Sequence, residues 1–205
     1  MRRTGVFVAV LAVTLLVATA GSAARPAVTI SLSRPSVVYG GSVSLSGKVS
    51  NNKAGETVDV LAEPSGATGF SMLGSATTTA GGHWTDAVMP TIETSYEANW
   101  KSATSSTVTV KVRPLITLTL VNLSTGSFST KVTAARSFAG KFVLVQRLSS
   151  SGVATQKKVI LDTNSSATFR VRLHQGRSRL RVVMPTSQTA PGYITGVSKV
   201  LTVNR

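Results

Sequence analysis

Few residues of this chain could do chemistry, and their spacing argues against a catalytic centre. The two histidines, His83 and His174, stand far apart with no ligand partner at metal spacing. A metal site needs three or four convergent donors, so surface or turn positions account for both. Acids number seven, and Asp162 is the only one after residue 113. A paired-carboxylate glycosidase site therefore cannot be built in that region. Glu56, Asp59 and Glu63 fall on one short segment, while Asp86, Glu93 and Glu97 are scattered, as solvated surface residues would be. No G-x-S-x-G elbow presents a serine, and no P-loop or G-x-G-x-x-G follows an extended segment. Cysteine is absent, which removes disulfides, thiolate nucleophiles, thiolate metal sites and lipid attachment at a cysteine. The expectation is a protein that is not an enzyme and carries no cofactor or metal. Only a deep pocket shared by Asp162 and His174 would reopen the question.

Charge is the informative chemistry. The formal net charge is +15, and it is unevenly placed. Residues 25–112 carry six basic side chains against six acids, whereas residues 113–205 carry fourteen against Asp162 alone. Such asymmetry between halves points to a polyanionic partner. Arginine suits phosphate and carboxylate because its guanidinium binds both in bidentate fashion and stays charged at any relevant pH.

The elements that must position these residues read as strands. Charged residues make up 14% of the chain, well below the usual figure of about 25%. Short alternating runs such as Val43–Val49, Thr107–Val112 and Phe169–Leu173 mark half-buried strands. A shift of 85 residues lays Val58 on Val143, Val60 on Val145 and Trp84 on Phe169; one gap later Tyr96, Ala98 and Trp100 fall on Leu180, Val182 and Met184. Apolar residues replace apolar ones at every second position, so what repeats is a core. Aliphatic replacement at two of these sites also argues that Trp84 and Trp100 are core residues rather than sugar-stacking platforms. Each unit holds about seven short strands, which suits a β-sandwich of roughly 100 residues. The fold class is all-β: two tandem sandwich domains, 25–113 (near neutral) and 114–205 (strongly basic). Pro114 should stiffen the junction, because proline restricts itself and the residue before it.

Residues 1–24 have the layout of a secretory signal peptide: Arg2 and Arg3, an apolar run from Val6 to Ala18, then small residues at Ser22, Ala23 and Ala24. Cleavage after Ala20 is an alternative, as is an uncleaved anchor, although the apolar run is short for a membrane span of roughly 20 residues. No second apolar span follows, so no transmembrane segment is expected in the mature chain.

The first unit resembles the immunoglobulin-like or fibronectin-III-like repeats of bacterial secreted and surface proteins. The likeness rests on Val38 to Gly41 with Val43 to Gly47, on Ala54 to Val60, on Gly82 to Trp84, on Met89 to Ala98, and on Val108 to Pro114. Thr94 to Tyr96 fits the tyrosine corner of such sandwiches, whose hydroxyl bonds to upstream backbone. The second unit departs from the pattern, with Leu180 in place of the tyrosine. The resemblance implies a spacer or binding module, secreted or extracellular and associated with the cell envelope or released from it. In that topology Arg170 and Arg172 lie on one sheet and Arg179 and Arg181 on the other. Arg172, His174, Arg177 and Arg179 should converge near the connecting turn, and Lys131 should join Arg170 and Arg172. Candidate binding residues are therefore Lys131, Arg170, Arg172, His174, Arg177, Arg179 and Arg181. The expected partner is an anionic cell-wall polymer or acidic polysaccharide, with a protein partner as the alternative; no dedicated nucleic-acid motif is present. The export reading predicts a mature N-terminus near Arg25 when the secreted chain is sequenced. Recovery of a protease-protected chain still starting at Met1 would overturn it.

Overall fold

Burial alternates residue by residue through most of the computed structural model, which describes residues 25–205. The expected signal peptide, 1–24, lies outside the described residues. In the first half the strands are β1 (Ser31–Leu32), β2 (Ser36–Val38), β3 (Val43–Lys48), β4 (Thr57–Pro64), β5 (Ser71–Thr77), β6 (His83–Val88), β7 (Thr94–Trp100), β8 (Ala103–Thr104) and β9 (Val108–Arg113). They form one sheet in the order β1-β3-β6 and another in the order β2-β9-β7-β4-β5, with β8 on β7. The inward positions hold Val43, Leu45, Val58, Val60, Trp84, Tyr96, Ala98, Trp100, Val110 and Val112, all buried. Gly47 has a specific reason to be glycine. A Cβ there would stand 1.8 Å from the Thr29 carbonyl oxygen and 2.6 Å from Trp84 Nε1, so only a bare backbone lets the indole lie against β3.

In the second half the strands are β10 (Leu115–Asn122), β11 (Ser127–Thr133), β12 (Phe142–Ser149), β13 (Gly152–Ile160), β14 (Ser166–Arg170), β15 (Arg177–Met184), β16 (Gly196–Val197) and β17 (Leu201–Asn204). One sheet runs β10-β11-β14; in the other β13-β12-β15 continues to β16 and β17, which both pair with β15. Phe128 and Phe169 face each other across β11 and β14, with ring centroids 6.1 Å apart, over Leu180, Val182 and Met184 in the interior. The all-β arrangement is consistent with an immunoglobulin-like sandwich, and the two halves share their strand order except that β2 has no counterpart in the second. Three local expectations differ. β2 pairs in parallel with β9 and is too short to show as an alternating run. β14 stops at Arg170, where regular pairing ends, although Val171 N still donates to the Gly126 carbonyl at 2.9 Å and Val171 and Leu173 stay buried. Tyr96 is buried, but its hydroxyl sits by Thr94 and the upstream backbone bond is not made; Thr94 instead donates to the Ile92 carbonyl at 2.8 Å.

Among the described residues no strand pairs across Pro114, yet the halves are tied together. The segment between β15 and β16, which holds the short helix α1 (Thr186–Thr189), folds back over the junction. Glu93 N donates to the Gly192 carbonyl at 2.9 Å, Ile194 N to the Val112 carbonyl at 3.0 Å, and Arg113 Nη1 to the Thr195 carbonyl at 2.7 Å. Gly192 has φ +82°, and a Cβ there would meet Ile92 at 2.5 Å. Tyr193 is the centre of the contact. Its hydroxyl donates to the Thr91 carbonyl at 2.6 Å and accepts from Ala135 N at 3.1 Å. The ring packs edge-on against Phe138 and lies under the Arg136 guanidinium, which donates to the Thr189 carbonyl. The buried apolar side chains accordingly form one connected set that passes through the junction. Tyr193→Phe keeps the ring and strands both partners of the hydroxyl, which should cost roughly 1–2 kcal/mol. Urea unfolding should show a lower midpoint with an unchanged slope, and a midpoint equal to wild type would remove Tyr193 from the account.

Candidate functional site

The arginines from residue 113 onward sort into two groups by what their guanidinium groups touch. Arg113, Arg136, Arg147 and Arg205 are held by backbone carbonyls, those of Thr195, Thr189, Arg172 and Leu173 respectively. These four close the junction and one end of the sheets, so their charge is structural. Arg170, Arg172, Arg177 and Arg179 are exposed, and among the described residues no protein group bonds their side chains. Arg181 is half-buried, with Nε donating to Gln146 Oε1 at 2.9 Å; among the described residues its two terminal amino groups have no protein partner. The one ion pair among the described residues, Lys101 to Glu56 at 3.5 Å, is in the first half. There the Trp100 indole and Asn51 amide also donate to Glu56, and these bonds hold its carboxyl below the usual carboxylate range.

Strand geometry decides which expected residues meet. Leu180, Val182 and Met184 of β15 point inward, which sends Arg177, Arg179 and Arg181 to the opposite face of the same strand. β15 lies between β12 and β17, with Arg179 beside Leu148 and Thr202, Arg181 beside Gln146, and Arg177 beside Asn204. Arg170 ends β14 in the other sheet, and Arg172 and His174 follow in the connection to β15. Arg172, His174 and Arg177 therefore share one end of the fold with Arg147 and Arg205, whereas Arg179 and Arg181 run away from that end. Lys131 is exposed on β11 opposite Ser166, while Arg170 is opposite Ser127. Four residues of strand separate these positions, roughly 13 Å, so Lys131 does not join Arg170 and Arg172. Sequence reading missed Arg147 and Arg205 at the end and Gln146 as the partner of Arg181. Residue type alone does not separate an arginine tied to a carbonyl from a free one.

Asp162 and His174 lie at opposite ends of β14. The Asp162 carboxylate accepts from Asn164 N at 2.8 Å and Ser166 N at 2.9 Å, closing the turn that feeds β14. His174 is exposed. No group of three or more potential metal ligands occurs among the described residues. In the first half a cleft of about 430 Å³ opens between β5 and β6, lined by Leu73, Asp86, Met89, Thr94 and Tyr96 among others. Burial pushes the Tyr96 phenol above its ordinary range.

No family model matches the sequence, and no curated protein matches it significantly. Among solved structures, a tetra-tandem repeat from the extending region of a large adhesion protein aligns over 87% of this chain, at 14% identity and a TM-score of 0.37. The chain spans 49% of that structure's length. A marsupial T cell receptor aligns over 89% of this chain and all of its own, at 11% identity and a TM-score of 0.34. Both likenesses are too distant to carry a function across.

Trp84 and Trp100 are 1% and 3% exposed, so neither offers a ring for a sugar to stack on. Their emission should be blue-shifted and resist iodide quenching in the folded protein. Strong quenching without unfolding would place an indole at the surface.

Proposed function

We propose that the chain is an exported, non-catalytic module of the cell envelope. In this reading residues 25–113 and 114–205 fold as two immunoglobulin-like domains. The second docks on an anionic envelope polymer or acidic polysaccharide, and the first serves as a spacer. The observation that carries the reading is that residues 113–205 hold fourteen basic side chains against Asp162 alone, with no ion pair made there among the described residues. Unpaired surface cations hold a counterion-accessible field that attracts a polyanion and is screened by salt. Arg113, bound to the Thr195 carbonyl, and the Tyr193 contact hold the second half against its neighbour, as a spacer requires.

A protein partner is the second reading, and the cleft between β5 and β6 favours it. Both strands are unpaired on the cleft side, and Leu73 and Met89, which line it, are 54% and 69% exposed. Open edges and exposed apolar side chains are where proteins add partners. Salt separates the readings, because apolar docking survives salt that releases a polymer.

Fragments 25–113 and 114–205 should each give a β-type circular dichroism spectrum with cooperative melting. The second alone should be retained on heparin or a wall polymer, with log affinity falling by about 0.7 to 0.9 per anionic group engaged for each tenfold rise in salt. Equal retention of the two fragments contradicts the proposal.

A further inference from the structure

We infer that Arg177, Arg179 and Arg181 form a ladder that reads a linear polyphosphodiester lying along β15; this rests on the docking role proposed above and names its site and ligand chemistry. Alternate residues of a strand stand about 6.6 Å apart on one face. Three guanidinium groups in that row match a polymer with one phosphate per short, polyol-length repeat. They match less well a polysaccharide whose carboxylates recur once per disaccharide.

Three observations set the row apart from general basicity. First, the row occupies the central strand of its sheet, so its backbone is fixed on both sides by β12 and β17. Second, Gln146 fixes Arg181 through Nε, which leaves the terminal amino groups as a two-pronged donor; Thr202 and Asn204 flank Arg179 and Arg177 with further hydrogen-bonding side chains. Bidentate donation of this kind is what arginine gives phosphate and lysine does not. Third, the repeat supplies its own contrast. Leu180, Val182 and Met184 correspond to Tyr96, Ala98 and Trp100, so Arg177, Arg179 and Arg181 correspond to Glu93, Ser95 and Glu97. Where the second half presents three cations, the first presents two acids and a serine. Sequence-tolerant binding of single-stranded nucleic acid uses aromatic rings that stack bases. The residues paired beside the ladder are Gln146, Leu148, Thr202 and Asn204, none aromatic, and a polyol phosphate is favoured over nucleic acid on that ground.

The test uses the mature chain and poly(glycerol phosphate) as probe, with hyaluronate and a single-stranded oligonucleotide of equal charge as comparisons. Wild type should bind poly(glycerol phosphate) at least tenfold more tightly than hyaluronate, and no less tightly than the oligonucleotide. Replacing Arg177, Arg179 and Arg181 together with alanine should weaken binding tenfold or more and lower the log–log salt slope by roughly 2. The same loss of charge at Lys141, Lys157 and Lys199, all exposed, should cost far less. Changing the three arginines to lysine should weaken binding several-fold with the slope kept, because charge remains and the fork is lost. Equal effects of the two alanine triples, or no effect of lysine, overturn the ladder while the general docking role stands. Tighter binding of the oligonucleotide overturns the polyol assignment. A concentration-dependent dimer at low salt that the arginine triple abolishes would assign the ladder to the acidic face of a second copy, against the proposal. Failure of wild type to bind any polyanion would remove the docking role itself.

Discussion

The geometry of the extended backbone governs the rest of this structure: successive side chains of a strand must point to opposite faces. On β15 that constraint couples core and surface directly. Burying Leu180, Val182 and Met184 leaves Arg177, Arg179 and Arg181 no option but the outer face. A one-residue slip in register would bury three guanidinium groups and expose the core, a change the fold could not survive. The basic face is thus locked in place by apolar burial, at about 1.5–3 kcal/mol for each large side chain removed from water. No salt bridge is needed to hold it.

From residue 113 onward arginine has two separate uses. Those bound to carbonyls act as mechanical ties: Arg113 and Arg136 pin the segment between β15 and β16, and Arg147 and Arg205 close the opposite end. The segment they help to pin brings Gly192 and Tyr193 against the first half. There the absence of a Cβ and one hydroxyl with two backbone partners make a close fit. The remaining arginines have no such employment, and with Asp162 turned into its own loop they meet no acid in their half. A fold seeking only stability would not leave like charges adjacent and unpaired on one strand.

Much of the architecture was legible because burial in β-structure has a period that sequence displays. The alternations at Val43 to Val49 and Leu180 to Met184, and the repeat linking Trp84 to Phe169, translate directly into buried positions. What the sequence hid lies where tertiary contact overrides pattern. β2 has three residues and exists through its pairing with β9. The segment 185–196 carries no periodicity and is ordered by Thr91, Glu93 and Val112 from the other half. Of the candidate site, the outward phase of Arg170, Arg179 and Arg181 was readable from alternation. The separation of Lys131 from Arg170 required the pairing register, and the sorting of arginines required knowing where the carbonyls fall. Arg147 shares the inward phase of Val143 and Val145 and would look like an error in the pattern, were it not for the Arg172 carbonyl that receives it.

The central claim is that this chain is exported and held at the envelope by charge. Fractionating native cells into medium, wall, membrane and cytoplasm, with the wall fraction then washed in rising salt, tests it most directly. The account predicts recovery in the wall fraction and release by salt without detergent. Retention in the cytoplasm, or a membrane-bound form that only detergent releases, would contradict it.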